Sequence, residues 1–287
     1  ISDFARWESH FGSRFVTWAL QSGFNRTQLF VLALTATTIV SFVDRYLPSV
    51  LIDSIRRDIA VSDIQYSTLQ TAFALTYAGA TLVSGLIADR FNRLRLLLVG
   101  VVVWTTGAFL FGFAQDLSGL LTARVMIGLG KAVIGPAGIS LLCDYLPPER
   151  RARAIAFTYL GATIGASLSF GGGGWLLDIA ERGSFSGVPI IGDLSGWRQV
   201  CIILASVGIP LFAVLVCFRE PPRSFDPKVG GERSFRDLWD RRRLIWPMLL
   251  TGLSIALADF AYTTWQTPLL TRTYGLTAGT GGQYLGL

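Results

Sequence analysis

The sequence predicts an all-α polytopic membrane protein, and three observations carry that prediction. The composition is 51% hydrophobic and only 15% charged, with 8 Trp and 19 Phe, and the mean hydropathy is +0.50. A soluble domain of this length carries more charge than that. Apolar runs of about 20 residues, enough for a helix to cross a hydrocarbon core, recur between short polar breaks. Basic residues gather in alternate breaks, as they do where a chain weaves through a bilayer.

Seven such runs lie near residues 29–51, 66–88, 96–114, 119–143, 154–177, 199–218 and 244–267. Another opens at Gln283–Leu287, so the sequence reads as truncated within span eight. One run alone could be the buried helix of a large soluble protein, but seven in series leave lipid as the solvent. Cys143, Cys201 and Cys217 lie at or inside apolar runs and are odd in number, which reads as packing rather than a disulfide framework or a metal site. The formal net charge of +6 falls between spans, where it sets topology, so no nucleic-acid partner is expected.

With the N-terminus inside, the cytoplasmic segments hold Arg6, Arg14 and Arg26, then Arg90, Arg93 and Arg95, then Arg150, Arg151 and Arg153, and eight more from Arg219 to Arg243. The opposite segments hold only Arg56, Arg57, Arg182, Arg198 and Arg272. That asymmetry predicts a multi-pass protein of the plasma (inner) membrane with a cytoplasmic N-terminus. Residues 1–28 interleave Phe4, Trp7, Phe11, Phe15 and Trp18 with arginines, the pattern of a helix lying in the cytoplasmic interface. Residues 219–243 form the one long polar stretch, with Pro221, Pro222, Pro227, Gly230 and Gly231, and read as a cytoplasmic linker. The expected organisation is therefore a six-helix bundle over 29–218, the linker, and the start of a second bundle over 244–287. Two such bundles with a solute site between them make a carrier.

Between spans two and three stands Gly85-Leu-Ile-Ala-Asp89-Arg90-Phe91-Asn92-Arg93-Leu-Arg95. A plain basic turn needs only the arginines; Gly85 additionally allows close helix approach, and Asp89 can pair with an Arg or a helix N-terminus. This run resembles the loop signature of the major facilitator superfamily, Gly-x-x-x-Asp-Arg-x-Gly-Arg-Arg, with Asn92 in place of the second Gly; Asn tolerates the left-handed backbone. Further similar stretches follow in order: Arg124-Val-Met-Ile-Gly128-Leu-Gly130 with Pro136, Asp144-Tyr-Leu-Pro147-Pro148-Glu149-Arg150-Arg151-Ala-Arg153, Gly161 and Gly165, Gly196-Trp197-Arg198, and Arg219-Glu220-Pro221-Pro222-Arg223. Phe42-Val43-Asp44-Arg45-Tyr46 and Phe73-Ala-Leu-Thr-Tyr77 resemble the spinster-like branch, and anion:cation symporters share an Asp-Arg pair in span one. The resemblance implies a major facilitator fold and secondary transport by alternating access, with Gly85, Asp89, Arg90 and Arg93 as a cytoplasmic latch. Gly128, Gly130, Gly161 and Gly165 suit close helix packing in lipid.

Asp44, Arg45, Arg124, Lys131 and Asp259 lie inside spans, where an unpaired charge costs roughly 2.5–3.5 kcal/mol on insertion scales, so they are expected to face a cavity or one another. Arg124 and Lys131 are seven residues apart and share a helix face, while adjacent Asp44 and Arg45 diverge by about 100°. Asp44 is expected to point at Arg124. Spinster-like proteins usually carry Glu where this chain has Lys131, an acid thought to take part in proton coupling; a desolvated amine can exchange a proton but cannot act as a carboxylate. The surplus of cations favours a small organic or amphipathic anion as the solute, with Arg124 and Lys131 binding the anion and Tyr77 and Trp265 holding its apolar part. Protons are the candidate coupling ion, and an uncoupled facilitator or exchanger is the alternative. The only His is His10, and no catalytic, metal-ligating or cofactor constellation is legible, so an enzyme is not expected.

Overall fold

The computed structural model describes residues 25–223, 239 and 241–286. Its seven helices long and apolar enough to cross a membrane are α1 (Arg26–Ile59), α2 (Asp63–Arg90), α3 (Arg93–Phe113), α4 (Leu117–Tyr145), α5 (Pro148–Glu181), α6 (Gly196–Val216) and α7 (Arg242–Tyr274), followed by a short helix, α8 (Ala278–Gly286). The interfacial segment expected over 1–28 lies outside the described residues except at its end. There Arg26–Gln28 form the first turn of α1, and the Asn25 N–H donates to Gln28 Oε1 at 3.0 Å. Most of the expected linker also lies outside the described residues.

Short connections make neighbouring helices antiparallel, so two ends of the bundle can be named. The near end gathers Arg26, Arg90, Arg93, Tyr145, Pro148, Val216 and Arg242; the far end gathers Ile59, Asp63, Phe113, Leu117, Glu181, Gly196 and Tyr274. Polar caps start the helices: Ser62 Oγ accepts from Gln65 N, Asn92 Oδ1 from Arg95 N, and Asp116 Oδ1 from Gly119 N. Bonds to its carboxylate from the Gly119 N–H and the Ser118 hydroxyl hold Asp116, which lies outside the spans, below the usual aspartate range.

α1 runs through the bundle against α5, and α4 packs between α2 and α3. Close approach depends on small residues. A Cβ at Gly130 would stand 2.4 Å from Trp104 N, and one at Gly165 2.5 Å from the Ile39 carbonyl; Gly128 and Gly161 abut Phe73 and Thr35 backbone oxygens at 3.1 and 3.0 Å. Gly85 differs, with nothing within 4 Å of its added Cβ, so no described element takes the close approach expected there.

Three spans are broken, each with a local cause. α6 parts at Val207, between Gly196–Ser206 and Gly208–Val216, ahead of Pro210, which lacks the N–H that would bond the Ser206 carbonyl. α4 divides into Leu117–Lys131 and Ile134–Tyr145 just before Pro136, which lacks the N–H that would bond the Ala132 carbonyl. Ser84 Oγ of α2 donates to that carbonyl instead, at 2.9 Å. α5 carries a π turn over Leu168–Gly172, from which Ser169 Oγ donates to the Val43 carbonyl of α1 at 2.7 Å. α8 lies over this turn, as glycines on both sides permit: a Cβ at Gly282 would meet the Phe170 carbonyl at 2.0 Å.

α7 meets the bundle only through its far half. Its buried residues are Thr264, Gln266, Thr267 and Pro268. Ser49 Oγ of α1 donates to the Thr264 carbonyl at 2.8 Å.

Candidate functional site

The α4 break leaves Lys131 as the last residue of the first half-helix, inside the bundle and 2% exposed. Its Nζ donates to the Ser41 carbonyl at 2.8 Å and to Asp44 Oδ2. Trp104 Nε1 of α3 donates to the same carboxylate oxygen at 3.1 Å. Asp44 therefore joins Lys131 and not Arg124, correcting the expectation that it points at Arg124. α1 is longer than its apolar run and begins at Arg26, which shifts the level of Asp44 along the bundle.

Arg124 is 1% exposed, with Nη2 donating to Gln70 Oε1 at 3.0 Å, and Gln70 in turn donating to Tyr66 OH at 2.6 Å. Its guanidinium lies 5.4 Å from the Phe73 ring and 5.3 Å from the Phe111 ring. Its Nε and Nη1 are buried without a partner among the described residues. Arg45 sits among the rings of Phe42, Tyr46 and Phe260 at 5.6–5.9 Å, and its Nε is also buried and unpartnered. Asp259, on α7, is exposed and forms no ion pair among the described residues.

A cavity of about 120 Å³ opens beside Lys131, lined by Leu34, Thr38, Ser41, Phe42, Tyr77, Ile134, Ile139, Tyr159 and neighbouring residues of α1, α2, α4 and α5. Tyr77 is stacked on Phe73 at 5.8 Å. Phe42 both lines the cavity and faces Arg45, so the cavity wall and the half-buried guanidinium are contiguous. Trp265 stands apart, packed edge-on against Tyr66 at 6.0 Å.

At the near end Arg93, expected to pair with Asp89, instead bonds Asp144 and Ser140 through Nη1 and Glu220 through Nε, the last at 3.0 Å. Arg93 opens α3 facing inward, whereas Asp89 and Arg90 are exposed on the last turn of α2. Arg223 donates to the carbonyls of Ala88, Asp89 and Phe91, closing the C-terminal end of α2. The sequence marked Asp144, Glu220 and Arg223 only as parts of similar stretches; the acidic charges of Asp144 and Glu220 mark them as partners for some arginine, but nothing local names Arg93.

The far end holds a cluster that the sequence did not single out. Arg272 of α7 bonds Asp53 of α1 at 2.9 Å and Asp63 of α2 at 3.1 Å, and Arg56 bonds Asp63 at 2.8 Å. Asp58 accepts from Ser195, Trp197 and Arg198 at 2.9 Å each, which gives the Gly-Trp-Arg stretch the task of tying α6 to α1. Arg57 pairs with Glu181 of α5 at 2.7 Å.

The sequence pattern of the Major Facilitator Superfamily matches residues 34–287. The chain belongs to that superfamily. Among its relatives are the MFS-type efflux pump of Mycolicibacterium smegmatis, 27% identical over 90% of this chain and 57% of that protein, and the probable L-galactonate transporter of Escherichia coli, 26% identical over 86% and 54%. Protein spinster of Drosophila melanogaster is 24% identical over 70% and 31%. A crystal structure of a bacterial homolog of the human lysosomal transporter Spinster, inward-facing and unoccupied, matches with a TM-score of 0.80 at 26% identity, over 92% of this chain and 60% of that one. The likeness to the spinster-like branch, read from spans one and two, is thus met in both sequence and fold. This major facilitator chain spans 31–60% of the length of these relatives. It is a multi-pass membrane protein.

Proposed function

We propose that this chain belongs to a secondary transporter that moves a small organic or amphipathic anion across the plasma membrane by alternating access, with the near end in the cytoplasm. The observation that carries the solute class is Arg45. Its guanidinium is half-buried without a carboxylate partner among the described residues, and it lies against Phe42, which lines the cavity together with Tyr77 and Lys131. Asp44 neutralises Lys131, so Arg45 and Arg124 remain as uncompensated cations in the membrane, and a buried charge of that kind favours a solute that completes it. Arg45 is the cation an anion reaches first, since Arg124 is enclosed.

The layout supports rocking of a bundle over 29–218 against one that begins at 244. The Arg272 cluster clasps the far end, while the near half of α7 carries no buried residue. Arg93 with Asp144 and Glu220 anchors the near end within the first bundle, beside the exposed Asp89 and Arg90.

The test is uptake into proteoliposomes of a panel of lysophospholipids, hexuronates and other organic acids, with and without an imposed pH gradient. Arg45→Gln is expected to raise KM for the transported anion roughly tenfold or more, the loss of one charge-assisted contact. An unchanged KM for every anion in the panel would sink the assignment. A second reading, uncoupled exchange, is favoured by the Asp44–Lys131 pair, because the Asp44 carboxylate is already engaged by an ammonium and an indole N–H. Uptake that ignores the pH gradient supports it; gradient-driven accumulation excludes it.

A further inference from the structure

At the near end, away from the charged site, α1 and α5 start side by side and leave a groove of about 810 Å³. Its rim is basic: Arg26 on α1, and Arg150 and Arg153 on α5, are all exposed. None of the three forms a salt bridge among the described residues. Arg151, between them, is turned away, with Nε donating to the Leu146 carbonyl at 3.1 Å. Glu149 lies in the first turn of α5 but does not line the groove.

The floor is apolar. Val31 and Leu32 of α1 and Phe157 of α5 line it, with Leu32 41% and Phe157 45% exposed. Both helices run inward from this end, so at 1.5 Å per residue the apolar side chains lie roughly 6–10 Å deeper than the arginines. Cations at the mouth above bare hydrocarbon walls match an amphiphile with an anionic head and an acyl tail.

We propose that this groove binds one anionic phospholipid, its phosphate among Arg26, Arg150 and Arg153 and an acyl chain along Leu32 and Phe157. A free phosphate satisfies the rim and leaves the floor unfilled. The chain's own residues 1–24 carry Asp3 and Glu8 against Arg6 and Arg14 and so bring no net negative charge to the rim. Charge complementarity therefore selects the lipid.

The experiment is native mass spectrometry of the purified protein equilibrated with mixed micelles containing phosphatidylglycerol or phosphatidylcholine. Wild type is expected to retain one phosphatidylglycerol in preference to phosphatidylcholine. Arg26→Gln/Arg150→Gln/Arg153→Gln should lose that preference, by up to roughly fivefold for each arginine removed. The three corresponding Lys substitutions should keep it, and so should Arg90→Gln/Arg95→Gln, which removes two exposed arginines at the same end outside the groove. Equal retention by the triple Gln variant, or equal loss in the Arg90/Arg95 control, overturns the proposal. So does displacement of the lipid by millimolar inorganic phosphate, which would make this a free-anion site only, and so does loss of the preference on deleting residues 2–22, which would place the contact on that segment.

Discussion

Lys131 of α4 and Asp44 of α1 form an ion pair inside the bundle, and Trp104 of α3 donates to the same carboxylate oxygen. Three helices thus meet at one atom. The arrangement exchanges two costly buried charges for one neutral pair, which is tolerable only while both partners are present.

Removing one partner should therefore cost more than removing both. Lys131→Met is expected to destabilise by about 3–5 kcal/mol, because it strands the Asp44 carboxylate, and Lys131→Met/Asp44→Asn should recover most of that loss. Denaturation of the detergent-solubilised variants measures it. Equal losses for single and double variants would mean that the pair is not coupled.

The near-end geometry separates Arg93 from Asp89. Arg93 has 5% of its side chain exposed and holds Asp144 and Glu220, with 7% and 15% exposed. Arg93→Gln should cost about 3–5 kcal/mol by removing the buried cation that both acids share, whereas Asp89→Asn should stay within about 0.5 kcal/mol, as an exposed position does. Matching melting temperatures for the two variants would count against this cluster.

Glycines provide a contrast of sign. Gly130→Ala and Gly165→Ala push a methyl into backbone atoms at 2.4–2.5 Å and should cost about 1–3 kcal/mol. At Gly85 there is open space, so Gly85→Ala should be neutral or stabilise by up to about 1 kcal/mol through helix propensity. Thermal unfolding of the three variants decides it, and a destabilising Gly85→Ala would place a neighbour against that face.

The far-end clasp rests on Arg272 bridging Asp53 and Asp63. Arg272→Gln should let α7 separate from α1 and α2 there. Spin labels at the exposed positions Ile64 and Tyr274, 80% and 69% accessible, should move to a longer and broader distance distribution by pulsed electron resonance. An unchanged distribution would assign closure to the Ser49–Thr264 contact instead.

The spans were legible because lipid admits one solution for a single chain of this composition: helices long enough to cross, with basic residues favouring one side. The family resemblance was legible because its motifs are runs of neighbouring residues, whereas the break ahead of Pro136 was not anticipated. The charged residues buried in the membrane were legible as a set, since each is costly there and must find a partner or a cavity.

Which of them meet was not. Arg272 and Asp53 are 219 residues apart and Lys131 and Asp44 are 87 apart; no local periodicity relates positions so distant, and a shift of one helix turn changes the partner. Sequence by itself determined the number and order of the spans, the family, and the residue types that the membrane interior must accommodate. Only the tertiary structure decided that Asp44 answers Lys131 and not Arg124, that Arg93 turns inward to Asp144 while Asp89 faces outward, and that α7 is clasped at its far end. Those outcomes depend on helix offset and rotation, which are set by glycine contacts and backbone breaks rather than by composition.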